Sequence, residues 1–219
     1  GKLPPNGSLI KERPFRAPHH TITAKALCGG GTIPGPGEIS LAHCGVLFLD
    51  ELPEFHRETL GVLRQPLENG SMQIHRCGYT YDFPAQFMLV GAMNPCPCGF
   101  YPDLSRCHCS YTAVRRYQEK ISMPLLDRMD MMIEVSALSY PQWNQKTQEM
   151  SSTQMRKKVE RVREIQKERR KGQSFLFNSR MGNQELEEYC ALGTQEKKLM
   201  KKAFDELKMS ARGYTKILK

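Results

Sequence analysis

The order of apolar and polar positions predicts a parallel α/β sheet in the first two thirds of the chain. Three short apolar runs, Val46–Leu49, Phe87–Met93 and Met131–Val135, are typical of strands that are buried on both faces. Leucines at helical spacing follow the first run, and a helix is predicted at about residues 111–121 before the third. The order strand, helix, strand, helix, strand favours a parallel sheet flanked by helices, and we expect Met129, Met131 and Met132 in its core.

A hairpin and a helical region complete the predicted architecture. Residues 72–82 contain two β-rich arms around Cys77-Gly78. From Ser152 onward the pattern is helical and basic, and further helical patterns cover about residues 183–208. We therefore expect an α/β unit over residues 1–145 and a helical unit over residues 146–219.

Polar side chains follow the first two apolar runs. Asp50 and Glu51 come directly after Leu49, and Asn94 follows the second run. The carboxyl ends of parallel strands meet at the edge where open α/β sheets bind ligands. In nucleoside triphosphate hydrolases one carboxylate helps to hold magnesium and the next polarises the attacking water, so an adjacent pair has a chemical reason. The alternative is a strand that simply leaves the core for solvent at Asp50.

Two arginines fit the same chemistry. Arg128 lies just before the third apolar run, and Arg212 lies in the helical region. A guanidinium group is suited to stabilising charge on a transferring phosphoryl group, either across a subunit interface or from a lid.

Four of the eight cysteines are closely spaced. Two C-x-C pairs, separated by eight residues, are formed by Cys96, Cys98, Cys107 and Cys109. Four thiolates in one loop can close a tetrahedral zinc site, although C-x-x-C is the more usual spacing within a pair. His108 is an alternative ligand. The other readings are four reduced thiols or a disulfide.

Charge and hydropathy restrict the class of protein. The formal net charge is +9, which permits contact with DNA phosphates without requiring it. The basic segment Arg156–Lys171 either contributes to such a contact or forms a solvated helix with paired glutamates. No apolar run approaches the roughly 20 residues of a membrane helix. The first residues show no signal-peptide pattern, so we expect a cytoplasmic protein without a membrane partner.

Six segments together resemble the magnesium-chelatase-like AAA+ ATPases, specifically their ComM (competence-protein) group. They are RPFRAPHHTIT, PGEISLAHCGVLFLDELPEF, LRQPLENG, FPAQFMLVGAMNPCPCG, LLDRMD and SARGYTKIL, and they occur in the family's order. The resemblance is dense over residues 10–140 and looser over residues 180–219. It implies ATP and Mg²⁺ as cofactors, a ring oligomer, expected to be a hexamer, and motor activity on DNA in natural transformation. It also implies a partial AAA+ sheet followed by a C-terminal helical lid.

The resemblance assigns roles to individual residues. It implies that Asp50 and Glu51 are the Walker B pair, Asn94 the sensor-1 residue, Arg128 the arginine finger and Arg212 the sensor-2 arginine. Residues 72–84 correspond to the hairpin that precedes sensor 1. It assigns no role to His19-His20.

One family motif is missing from the sequence. The phosphate-binding loop G-x-x-x-x-G-K-[ST] does not occur, and Gly1-Lys2 is followed by Leu3. That loop cradles phosphates with backbone amides, a lysine and a hydroxyl. We expect that the chain is part of a longer protein, cut inside its ATPase domain, rather than a degenerate copy. By itself it should lack a central strand and ATPase activity.

Three functions remain open from the sequence. The first is part of a ComM-type DNA helicase or branch-migration motor, which the NPCPCG cysteine loop favours. The second is the ATPase subunit of a magnesium chelatase that inserts metal into tetrapyrroles. The third is a non-catalytic, zinc-stapled binding module, which the missing phosphate loop favours.

Overall fold

The computed structural model describes residues 12–136, 138, 140–144, 150–169 and 178–219. The chain divides into two compact units, one ending at Met129 and the other beginning at Asp130. The division into residues 1–145 and 146–219 stays a prediction. None of the helices in the described part of the chain is long and apolar enough to cross a membrane.

A parallel three-stranded sheet lies at the centre of the first unit. The strands of this unit are β1 (Phe15–Arg16), β2 (Gly29–Gly30), β3 (Gly35–Pro36), β4 (Val46–Leu49), β5 (Ser71–Arg76), β6 (Tyr79–Pro84) and β7 (Met88–Gly91). The sheet order is β1-β4-β7, and both pairings are parallel. Leu49 is opposite Gly91 at the carboxyl end. The predicted parallel pairing of the first two apolar runs is therefore confirmed.

The burial of its side chains fits the central position of β4 in the sheet. Leu47 and Leu49 are fully buried, and Val46 and Phe48 on the other face are half-buried. Strand β4 is thus covered on both faces, as expected for a parallel strand. Its fully buried leucines join a core that also contains other completely buried residues, namely Leu27, Ile39, Leu63 and Leu125.

Short helices surround the sheet. In the first unit they are α1 (Ala24–Cys28), α2 (Glu38–Leu41), α3 (Arg57–Gly61), α4 (Arg64–Asn69), α5 (Tyr111–Gln118) and α6 (Met123–Leu126), with a 3-10 turn η1 (Leu52–Glu54). Thr23 caps α1 by accepting from the N–H of Ala26, and Ser110 caps α5 by accepting from the N–H of Ala113. The predicted helices after β4 and after the cysteine loop are confirmed.

The predicted hairpin is formed by β5 and β6. Arg76 pairs with Tyr79, which leaves Cys77 and Gly78 as a two-residue turn. Both turn residues have positive φ, as a type I′ turn requires. Met72 is buried at the base of the hairpin.

The predicted third strand is wrong. Residues 131–136 form no strand, and Met131, Met132 and Val135 are 81%, 76% and 88% exposed. A strand must pair its backbone N–H and C=O groups, and an apolar run supplies no partner by itself. Within the described residues, no strand pairs with this segment. Met131 and Met132 are therefore outside the core, whereas Met129 is partly buried against it.

The second unit is helical in its described residues. Its helices are α7 (Tyr140–Asn144), α8 (Ser152–Arg169), α9 (Asn183–Tyr189), α10 (Thr194–Glu206) and α11 (Ala211–Leu218), with a 3-10 turn η2 (Asn178–Arg180). Met181 and Leu186 form a small core with Tyr189, Cys190 and Leu218. Helix α8 has no buried residue. Its exposure fits both a solvated helix and a contact with DNA, and part of the predicted basic segment lies outside the described residues.

Strand β1 is held against β4 at a point where a side chain would not fit. Gly45 is buried, and a Cβ placed on it would lie 1.9 Å from the carbonyl oxygen of Pro14. The next residue, Val46, donates its N–H to that same oxygen at 2.8 Å. The close approach of the two backbones therefore depends on glycine at this position.

We expect Gly45→Ala to lower the free energy of unfolding of the chain by roughly 2–4 kcal/mol, because the added methyl group must push β1 away from β4. Gly61→Ala is the matched control, since a Cβ there meets nothing within 4 Å. That change should leave the stability unchanged or raise it by up to about 1 kcal/mol. Urea unfolding measures both, and equal midpoints for the two variants would contradict the argument.

Candidate functional site at the carboxyl edge of the sheet

Strands β4 and β7 bring three of the predicted site residues to one edge of the sheet. Ala92 donates its N–H to the carbonyl of Leu49 and accepts from the N–H of Leu52, both at 2.9 Å. The hydrogen bonds between the two chain segments therefore bracket Asp50 and Glu51. Asn94 follows β7 at the same edge, and all three side chains are exposed.

The backbone turns sharply at the carboxylate pair. Glu51 has φ 50° and ψ 45°, in the left-handed region, and it begins the turn η1. Its N–H donates to Oδ1 of Asp50 at 2.9 Å. Leu52 and Pro53 behind it are buried. The turn therefore anchors its apolar residues in the core while both carboxylates stay accessible to solvent, where they can hold a divalent cation or polarise a water molecule.

His20 contacts the carboxylate pair, and sequence reasoning missed it. Its Nδ1 lies 3.1 Å from Oε2 of Glu51. The imidazole also lies against the ring of His19, with a centroid distance of 4.0 Å, and edge-on to Phe55 at 6.3 Å. Only the strand order could have indicated this contact, because the loop after β1 must emerge at the same edge of the sheet as the loop after β4. Strand β1 contains only two residues and was not predicted.

The four cysteines of the loop after Asn94 form one cluster. The sulfur of Cys96 lies 3.3 Å from that of Cys98 and 3.8 Å from that of Cys107, and the last two are 3.6 Å apart. With Cys109, all four sulfurs lie within 4.8 Å of one another. All four are free thiols, so the disulfide reading is wrong. His108 is exposed and is not among the clustered ligands.

The cluster favours the thiolate at two positions, Cys96 and Cys98, and a backbone N–H bond from Phe100 is the main cause of the lowered pKa of Cys98. Burial disfavours the Cys96 thiolate, but N–H groups such as that of Tyr101, together with neighbouring thiols, outweigh burial and lower its pKa to about 6. At Cys107 a backbone N–H favours the thiolate, but burial and the adjacent sulfurs prevail and raise the pKa to about 12. The pKa of Cys109 is also raised. Four clustered sulfurs that shift one another's pKa are a donor set that suits a soft cation.

Contacts from outside the loop hold the cysteine cluster in place. Val114 of α5 is buried and packs against Cys96 and Cys107. Gln118, at the end of the same helix, donates its side-chain N–H to the carbonyl of Pro95 at 3.0 Å. The residue after Asn94 is thus attached to α5, and the cysteine loop begins immediately after it.

The two predicted arginines lie in different units. Arg128 forms an ion pair with Glu68 of α4 and donates to the carbonyl of Pro124 at 2.7 Å, and its side chain is only 15% exposed. Within this chain it therefore faces α4 rather than solvent. Arg212 lies in α11 of the second unit. The roles predicted for both residues stay predictions.

We expect Glu51→Asn to raise the free energy of unfolding of the chain by about 0.5–1 kcal/mol, because asparagine tolerates the left-handed backbone better than glutamate. The loss of one exposed contact to His20 should cost less than this gain. Asp50→Asn is the control, since it also removes a carboxylate but at a position without positive φ. A urea midpoint that is lower for Glu51→Asn than for Asp50→Asn would show that the backbone at Glu51 stores no strain.

Comparison with known proteins places the chain in a family. Residues 2–143 match the family model described as magnesium chelatase, subunit ChlI, and residues 149–219 match the model of its C-terminal region. Competence protein ComM of Haemophilus influenzae is 48% identical over 212 residues, which cover 95% of this chain and 40% of that protein.

Two further relatives are described only as uncharacterized proteins. YifB of Escherichia coli is 40% identical over 95% of this chain and 40% of its own length. Rv2897c of Mycobacterium tuberculosis is 36% identical over 100% of this chain and 43% of its own length. The chain thus spans about two fifths of the length of these relatives. It belongs to the magnesium-chelatase-like AAA+ family, in the group that resembles ComM.

Proposed function

We propose that this chain supplies the magnesium-binding and water-activating edge of an ATP-hydrolysing ring motor. The observation that carries the proposal is the parallel pairing of β4 with β7, which sets Asp50 and Glu51 beside the segment that leads to Asn94. In this role Asp50 helps to hold Mg²⁺, Glu51 polarises the attacking water, and Asn94 orients that water.

The two arginines have separate roles in the proposal. Arg128 acts across a subunit interface on the nucleotide of a neighbouring copy, after leaving Glu68, and Arg212 acts from the helical lid. An arginine that must reach another copy implies a ring, which we propose to be a hexamer. Glu68 is half-exposed, whereas Arg128 is largely buried, so in this proposal the arginine must leave the ion pair before it can contact a phosphate.

Fixation of the triphosphate requires further groups. The 219 residues contain no phosphate-binding loop, so they lack the lysine and hydroxyl of that motif. The relatives are more than twice as long as the matched region, and the proposal assigns these groups to a segment that a longer parent protein supplies.

The proposed substrate of the motor is DNA. Support comes from the net charge of +9, from the exposed basic helix α8, and from a relative whose name is competence protein ComM. A helicase or branch-migration role fits these observations.

The second candidate is a magnesium-chelatase subunit, which the name of the family model favours. DNA-stimulated ATP hydrolysis by the full-length protein supports the first candidate, and stimulation by a tetrapyrrole-binding partner supports the second.

In the full-length protein, Glu51→Gln should lower the turnover of ATP by about 10²–10⁴-fold while nucleotide binding persists, because the amide cannot act as a base. Glu54→Gln is the control, since Glu54 is a nearby exposed carboxylate that pairs with Lys120. The isolated 219-residue chain should show no turnover. Phosphate release assays and nucleotide titrations measure these effects, and undiminished turnover by the Glu51→Gln enzyme would refute the proposed role of Glu51.

We also propose that the four cysteines bind structural Zn²⁺. A tetrahedral site with Zn–S distances of about 2.3 Å has sulfur–sulfur distances of about 3.8 Å. The separations of 3.3, 3.6 and 3.8 Å among three of the sulfurs are close to this value. The metal would fix the loop that follows Asn94 and so hold that edge of the site rigid.

Zinc analysis of the purified protein tests this assignment. We expect about one Zn²⁺ per chain. Cys107→Ser should lose the metal and lower the melting temperature, because a buried ligand is removed. Cys44→Ser is the matched control, since Cys44 is exposed and lies outside the cluster. Protein without zinc whose four thiols are freely alkylated would refute the proposal.

A further inference from the structure

We propose that His20 is a positioning residue that orients the carboxylate of Glu51 toward the attacking water. This inference rests on the proposed function of Glu51. The observation is the 3.1 Å separation between Nδ1 of His20 and Oε2 of Glu51, in a chain where sequence reasoning gave the histidine no role. The imidazole does not touch the nucleotide in this proposal and acts only through the glutamate.

Glu51 needs a partner to define the direction of its carboxylate. Its side chain is 58% exposed, and an exposed glutamate samples several rotamers. The left-handed backbone at Glu51 directs the side chain differently from a continuing strand. A non-glycine residue in this conformation is uncommon, and such outliers concentrate at functional sites. A hydrogen bond from His20 to Oε2 would restrict the carboxylate and assign Oε1 to the water.

His20 is itself held in place from several sides. Its side chain is only 28% exposed, and Phe55, which it contacts edge-on, is buried in the core. The turn that contains it is closed by a hydrogen bond from the N–H of Ile22 to the carbonyl of His19 at 3.0 Å. The carbonyl of Ile22 accepts from the hydroxyl of the buried Thr59 at 3.4 Å. The imidazole can therefore impose its position on the more exposed glutamate.

The start of the same loop is fixed by an ion pair. Arg16, the last residue of β1, makes two hydrogen bonds of 2.6 Å to the carboxylate of Glu38 in α2. Such a bidentate pair defines geometry better than a single contact. The loop from β1 to α1 is therefore anchored at both ends, and His20 lies between the anchors.

The chemistry requires no proton transfer from His20. A neutral imidazole that carries its proton on Nδ1 donates to Oε2 and leaves the negative charge on the carboxylate, which can then attract a proton of the water. The opposite arrangement is a latch, in which His20 withholds Glu51 from the water. The two arrangements predict opposite effects on turnover when the histidine is removed.

The test uses steady-state ATP hydrolysis by the full-length protein. His20→Ala should lower kcat by about 10- to 100-fold with KM for ATP changed by less than about 3-fold, because the misdirected base affects the chemical step rather than binding. His20→Asn should recover part of kcat, since its amide N–H can still donate to the carboxylate. His56→Asn, at an exposed position beyond η1, is the control and should leave both constants unchanged.

A double variant shows whether His20 acts through Glu51. In single-turnover assays, His20→Ala should cause no further loss in the Glu51→Gln background, because residues that act as a unit are not additive. An unchanged or raised kcat in folded His20→Ala protein, or a full additional loss in the double variant, would overturn the inference. If Glu51→Gln alone retains turnover, the proposed function fails instead, so the two failures are distinguishable. Melting curves of His20→Ala and His20→Asn verify that each variant is folded.

Discussion

The candidate site depends on the pairing of β4 with a parallel strand on each side. Because β4 is hydrogen-bonded to both β1 and β7, its carboxyl end is fixed, and the loops that follow all three strands must emerge at one edge. The buried side chains of Leu47 and Leu49 keep this strand in the core. The close backbone approach at Gly45 sets its distance from β1. Polar residues from three separate parts of the sequence are thereby brought to one edge.

At this edge of the sheet, buried residues that stabilise the fold are followed by exposed charged residues. The strand is apolar as far as Leu49, where burial stabilises the fold, and becomes charged at the first position where side chains reach solvent. Glu51 adopts an unfavourable backbone conformation, whereas the buried Leu52 and Pro53 next to it stabilise the turn. If position 51 served stability alone, asparagine or glycine would be favoured there, because both tolerate a left-handed backbone. The glutamate is therefore better explained by its carboxylate than by the fold.

Sequence patterns predicted those elements whose signal is local. The run Val46–Leu49, the Cys77-Gly78 turn and the four-cysteine loop each carry their own composition or spacing, and the structure contains all three. Contacts between distant residues have no such signal. The pairing of Arg128 with Glu68 and of His20 with Glu51 follows from the fold alone. Residues 131–135 show the reverse case, since an apolar pattern was present but a strand also needs a partner for its backbone groups.

Asp50 and Glu51 are flanked by two loops that are made rigid by different means. On the β1 side, hydrogen bonds at Arg16 and Ile22 anchor the loop that carries His20. On the β7 side, the loop after Asn94 is attached to α5 and contains the cysteine cluster. The loop after β1 is held by polar contacts, and the loop after Asn94 is held by a small buried cluster in which the sulfurs pack with Val114. Catalytic geometry must be held to within about 0.5 Å, and rigid loops on both sides of an exposed carboxylate pair are one way to reach that precision.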